Sequence, residues 1–193
     1  MKKIMFSDTF CLTKAVLDGT KTMTRRVLKE GTPLGNWEET VKHLPYKVGD
    51  IVAIAQPYKD IIESMAEYSD IIINVDGSIN REYKAGYTNK MFVKAYLMPH
   101  HIRITDVKIE HLQDISDKEC LREGVKRASI GFYAEGVRVK DWEKEAHRET
   151  ASGCLKLFPF PRPAFASLID KISGKGTWES NPWVVAYSFE LVD

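Results

Sequence analysis

The sequence is poor in the features that announce most function classes. It has three cysteines, Cys11, Cys120 and Cys154, odd in number, far apart and without a CxxC pair. That argues against a disulfide framework and for a reducing, cytoplasmic setting. No apolar run approaches the ~20 residues of a membrane span. The opening Met1-Lys2-Lys3-Ile4-Met5-Phe6-Ser7-Asp8 has only three apolar residues after its lysines, too few for a secretory leader. A formal charge of +1 provides no broad basic field for long duplex nucleic acid. His100 and His101 are adjacent and diverge on a strand, and His43, His111 and His147 lack ligand spacing, so no metal is expected. Neither GxxxxGK[ST] nor GxGxxG occurs, so no cofactor is expected. Internal repeats and low-complexity tracts are also missing.

What is present is an ordinary globular composition, 44% hydrophobic and 28% charged over 193 residues. This suits one domain, 1–193, with insertions near 56–90 and 126–163. Residues 2–6 read as a strand, and Ser7-Asp8-Thr9 offers N-caps for a helix over 10–17 that Gly19 ends. Gly49-Asp50 turns into a strand reaching Ala55, 58–68 is helical, and 70–75 reads as a strand before an Asp76-Gly77 turn. Residues 91–97 and 101–109 read as strands joined around Pro99, and 183–192 alternates as a closing strand. Ser116 and Glu119 form a capping box for a helix that stops at Gly124, and Pro163 opens another that runs to Ile172. The expected class is α+β, a small mixed β-barrel with peripheral short helices and a long insertion.

Chemistry concentrates in Gly19-Thr20-Lys21-Thr22-Met23-Thr24-Arg25-Arg26. An amine three residues before a hydroxyl acts as its base if burial lowers the ammonium pKa, and holds an anion if it does not. On a regular strand Lys21 and Thr24 face opposite ways, while Thr22, Thr24 and Arg26 share a face, so convergence requires a turn. The bland alternative leaves Lys21 snorkelling at the barrel rim and the threonines as ordinary strand residues. Arg25 and Arg26 suit phosphate or carboxylate, and either can instead neutralise a buried acid such as Glu123. Gln56, Tyr58, Asn89 and Lys90 are further substrate-binding candidates at predicted strand ends. The 126–163 stretch mixes charge (Lys140, Glu143, Lys144, Glu145, Arg148, Glu149) with aromatics (Phe132, Tyr133, Trp142, Phe158, Phe160). It reads as a lid or base-stacking platform, or as aromatics packing the insertion onto its own barrel.

The positions Gly19, Lys21, Thr24 and Arg26 fit GxKxxTxR, which resembles the signature opening ASCH domains, a PUA-like family. Val48-Gly49-Asp50 before a strand is a weaker second match. The resemblance covers 10–26, 48–55, 91–124 and 183–192. It implies a PUA-like barrel and a cleft for a nucleoside or an unpaired base in single-stranded RNA. Within that family, small bacterial amidohydrolases deacetylate N4-acetylcytidine with a lysine, a threonine and a later glutamate. Here the resemblance puts those roles on Lys21, Thr24 and, in Leu121-Arg122-Glu123-Gly124, Glu123. Thr24 would attack the acetyl carbonyl, Lys21 take its proton, and Glu123 deliver a proton to the leaving nitrogen or position water. Main-chain amides of 22–24, Arg25 or Arg26 would supply the oxyanion donor, with Gly19 and Thr22 beside the substrate. The implied partners are RNA or a modified nucleoside, without membrane or metal. The competing class is a non-catalytic protein-interaction or structural module that makes contact through 126–163.

Overall fold

The computed structural model describes residues 1–139 and 155–192. Cys154, Trp142 and the charged residues 140–149 lie outside them, so the proposed role of that part of the insertion has no structural counterpart below. Strands β1 (Lys2–Ile4), β2 (Met23–Val27), β3 (Ile51–Ile54), β4 (His101–His111) and β7 (Trp183–Leu191) form one sheet, ordered β1-β3-β4-β7-β2. β1 and β3 run parallel, and the other neighbours are antiparallel. β5 (Lys126–Ala128) and β6 (Gly131–Tyr133) form a separate hairpin.

The interior strand β7 is buried from Val184 to Phe189 because both of its faces are covered. Val185, Tyr187 and Phe189 join the core that includes Leu12 and Val16 of helix α1 (Leu12–Leu17). Val184 faces the opposite core, with Phe165 and Ile169 of helix α6 (Pro161–Ser173) and Cys120 of helix α5 (Asp117–Arg122). β4 serves the first core with Ile102 and Ile104, then with Val107 and Ile109. That change of parity is made by a bulge between Ile104 and Asp106, which takes up Thr105 as an extra residue.

The expected closed barrel is not seen: among the described residues the sheet ends at two edges, β1 and β2. It curls enough for Arg26 on β2 to donate to the carbonyl of Met5, just past β1. The seam between these edges is therefore bridged by a side chain rather than a backbone ladder.

Two predicted strands fold otherwise. Within 70–75, Ser69–Ile72 is helix α4, and only an isolated bridge, Ile73 to Ile79, remains of the strand. Of its three isoleucines only Ile72 is fully buried, in a satellite core with Tyr58, Ile61 and Tyr83, so one anchor outweighs the β-branched run. Residues 91–97 form 3-10 turns, Lys90–Phe92 and Ala95–Leu97. The Asn89 side chain accepts from the amide of Met91 and starts the first turn, and the buried residues Val93 and Met98 lie five apart, not two. Helices α2 (Trp37–His43), α3 (Tyr58–Ser64) and α7 (Thr177–Ser180) complete the regular elements used here. Among the described residues no helix is long and apolar enough to cross a membrane.

The capping box predicted for α5 is formed: Ser116 Oγ accepts from the Glu119 amide at 3.3 Å, and Glu119 Oε2 accepts from the Ser116 amide at 2.9 Å. Burial acts to raise the Glu119 pKa, but Ser116, Arg25 and Lys108 outweigh it and hold the carboxyl below 4.5. A lowered native pKa adds stability above the unfolded value, and that contribution is lost as pH falls through the native one. Ser116→Ala is therefore expected to cost about 1 kcal/mol at pH 7, with the difference shrinking below pH 4. Urea titrations at the two pH values measure both numbers.

Candidate functional site

The site begins where α1 ends. Gly19 adopts φ +71°, which lets its amide and those of Thr20 and Lys21 fold back onto the carbonyls of Val16 and Ala15. Thr22 then pairs with the end of α5 through its amide to Arg122 O, and its carbonyl accepts from Phe189 before β2 starts at Met23. Lys21 therefore precedes the strand, and strand parity does not govern its direction. Its side chain is 2% exposed and runs under β2. Nζ donates to Met23 O at 2.7 Å, Glu123 O at 2.7 Å and Glu123 Oε2 at 2.8 Å, three donors for three acceptors. Burial pulls the Lys21 pKa below 10.5. Glu123 opposes the shift, and Arg26 and Arg25 reinforce it.

Glu123, the C-cap of α5, is 4% exposed. Gly124 behind it has φ +109°, and a β-carbon there would stand 2.9 Å from Leu12 and 3.8 Å from the Lys21 stem. The glycine in this sequence position thus leaves the lysine its space. The second oxygen of Glu123, Oε1, accepts from Arg25 Nη1 at 3.2 Å. Arg25 also donates from Nε and Nη2 to Glu110 Oε1 at 2.9 and 2.6 Å, and its Nη2 lies 3.2 Å from Glu119 Oε2. Lys108 stands 3.6 Å from Glu119. Three cations therefore meet three carboxylates, and the group is neutral in sum.

Lys21, Thr24, Arg25, Arg26 and Glu123 line one pocket of ≈ 360 Å³. Leu12 and, from α6, Phe165, Leu168 and Ile169 supply its apolar walls, and Met5, Phe6 and Ser7 border it across the seam from β2. Thr24 is 5% exposed, and among the described residues its hydroxyl makes no hydrogen bond. The arrangement offers a small ligand a hydroxyl, a buried ion pair and an exposed guanidinium on Arg26.

The remaining candidates lie elsewhere. Gly19 shapes the turn at the end of α1, and Thr22 accepts from Arg122 Nε at 3.1 Å. Gln56 borders a second hollow with Asp8 and Asp60. The Tyr58 hydroxyl accepts from the Lys94 amide at 2.8 Å, Asn89 caps a 3-10 turn, and Lys90 pairs with Asp8 at 2.7 Å. Of the two arginines, Arg25 neutralises buried acids, as one alternative allowed, and the Thr22 amide is already taken by Arg122 O. The sequence reading missed Glu110 and Glu119 as partners of Arg25, although the acidic lean of 110–119 beside a basic 21–29 was a usable signal.

No family model and no curated protein matches the chain. Among solved structures it is similar to an ASCH domain from Lactobacillus crispatus, 14% identical, with 93% of this chain and 69% of that one covered and a TM-score of 0.34. It is also similar to an Enterococcus faecalis protein of the DUF984 family, 15% identical, with 100% and 81% covered and a TM-score of 0.41. At that level of superposition neither structure's chemistry transfers to these side chains.

Proposed function

We propose that the seam pocket is a PUA-like, ASCH-type cleft that binds one nucleoside, or one unpaired base of single-stranded RNA. The observation that carries this is the buried Lys21–Glu123–Arg25 group, its charges paired within the group and outward to Glu110 and Glu119, beneath an open pocket in which the Thr24 hydroxyl is unpartnered. A floor whose cations are already held by carboxylates favours an uncharged heterocycle with hydrogen-bonding edges over a phosphate, whose charge would have to sit at Arg26 on the rim. Apolar walls suit the faces of such a ring, and a net charge of +1 fits recognition that does not depend on many phosphates.

A buried Lys21 in the same pocket as the unpartnered Thr24 hydroxyl favours a hydrolytic version of the same reading. Thr24 Oγ adds to the acetyl carbonyl of N4-acetylcytidine or a related acylated nucleoside once Lys21, an ammonium in the resting pocket, has lost a proton to solvent, and the hydroxyl proton then passes to its Nζ. The C–N bond then breaks as that proton reaches the leaving nitrogen, while Glu123 holds the ammonium in place. Water returns the enzyme by hydrolysing the threonyl ester to acetate. Arg26, whose guanidinium is engaged only with Met5 O among the described residues, is the donor for the oxyanion.

Incubation with N4-acetylcytidine, with cytidine release and nucleoside binding followed together, tests both versions. Thr24→Val keeps the shape and removes the nucleophile, so turnover should fall by about 10²-fold or more while binding persists. Binding without turnover in the wild type leaves the binder and removes the hydrolase. Neither binding nor turnover sinks both and favours an interaction module.

A further inference from the structure

Arg25 lines the pocket, yet its contacts run to carboxylates and to Met23 Sδ, and Glu110, its closest partner at 2.6 Å, does not line the pocket at all. We propose that Arg25 is a positioning residue: tethered by Glu110 and Glu119, its guanidinium fixes the Glu123 carboxylate against Lys21, so that Glu110 governs the charge state of the pocket amine from outside the pocket. The consequence for a ligand rests on the nucleoside reading above. The linkage within the protein does not.

The geometry gives the guanidinium little freedom. Nε and Nη2 converge on one oxygen of Glu110 from β4, Nη2 also meets Glu119 in the first turn of α5, and Nη1 reaches Glu123 at the end of α5. One planar fork therefore holds both ends of a six-residue helix to β2. In the sheet, Arg25 and Lys108 both pair with Ala186, whose small side chain leaves the space through which Arg25 reaches along β4. Only Glu123 continues into the pocket, where its other oxygen holds Lys21 at 2.8 Å. The chain of contacts is Glu110, Arg25, Glu123, Lys21.

Other charged groups around it are fixed in role. Arg26 on β2 and Lys108 on β4 add positive charge, and Arg122 of α5 is engaged with Thr22. The Cys120 thiol of α5 is pushed up to about 12 by burial and stays neutral across the working range. Removing the charge of Glu110 leaves Arg25 less compensated, and the added positive field makes Lys21 give up its proton at lower pH.

The test is an NMR titration of the Lys21 ¹³Cε shift in the full chain, which needs no ligand. Glu110→Gln should move the Lys21 midpoint downward by on the order of one pH unit. Lys108→Met, which removes a half-exposed cation, should move it little. An unchanged midpoint in a folded Glu110→Gln overturns the proposal, whatever the protein binds. If Glu110→Gln does not fold, Glu119→Gln takes its place with the same expected direction and the same overturning result. Nucleoside affinity is measured on the same samples. A shifted midpoint with no nucleoside binding in the wild type keeps the positioning role and removes the nucleoside reading.

Discussion

Arg25→Met is expected to destabilise the fold by about 3–5 kcal/mol, because it leaves Glu110 beside an apolar stem without its cation and takes one partner each from Glu119 and Glu123. That is a large share of the ~5–15 kcal/mol that holds a typical domain together. The loss should be greatest at neutral pH and shrink on acidification, since protonation discharges the stranded carboxylates. Arg25→Lys should recover little, because one ammonium cannot reach Glu110, Glu119 and Glu123 together. Urea unfolding at pH 7 and pH 4 separates this from a simple packing defect, which would cost the same at both. Equal losses at the two pH values would show that the carboxylates do not depend on the guanidinium.

Lys21→Met is expected to cost about 3 kcal/mol or more at pH 7, since it removes one partner of a pair whose side chains are 2% and 5% exposed. Adding Glu123→Gln to it should return part of the loss, because the carboxylate oxygen that Lys21 held is no longer left charged and buried without a donor. The pH dependence has a definite sign. Burial holds the native Lys21 pKa below 10.5, so between the native value and 10.5 the unfolded chain binds more protons than the folded one. Wild-type stability therefore gains from this residue as pH rises through that window, and its margin over Lys21→Met should widen there. Ligand binding should be lost in the single variant at every pH.

Parts of this arrangement could be read from the sequence because they rest on local chemistry. Ser116 with Glu119 specifies the start of α5, and Gly19 specifies the turn that frees Lys21 from strand geometry. Strands β4 and β7 could each be read from their own residues, 101–109 and 183–192, although not that they pair. The grouping of Lys21, Thr24 and Glu123 on one pocket was legible through the signature and the Glu123-Gly124 ending rather than through periodicity. What local chemistry does not contain is pairing across distance. Nothing near Glu110 in the chain says that Arg25, 85 residues earlier, will meet it. Residues 91–97 failed for a related reason: their apolar character suggests a strand, but Val93 and Met98 are claimed by the Tyr58 core instead.

The extra residue at Thr105 reaches further than packing. Above it β4 turns Ile102 and Ile104 to one core, and below it Val107 and Ile109 point to the same side, which leaves Glu110 directed to the other, where Arg25 waits. A chain one residue shorter at that spot would invert everything beyond it, sending two aliphatic side chains out of their core and swinging the glutamate off its arginine. A hitch in mid-strand is what aims the acid.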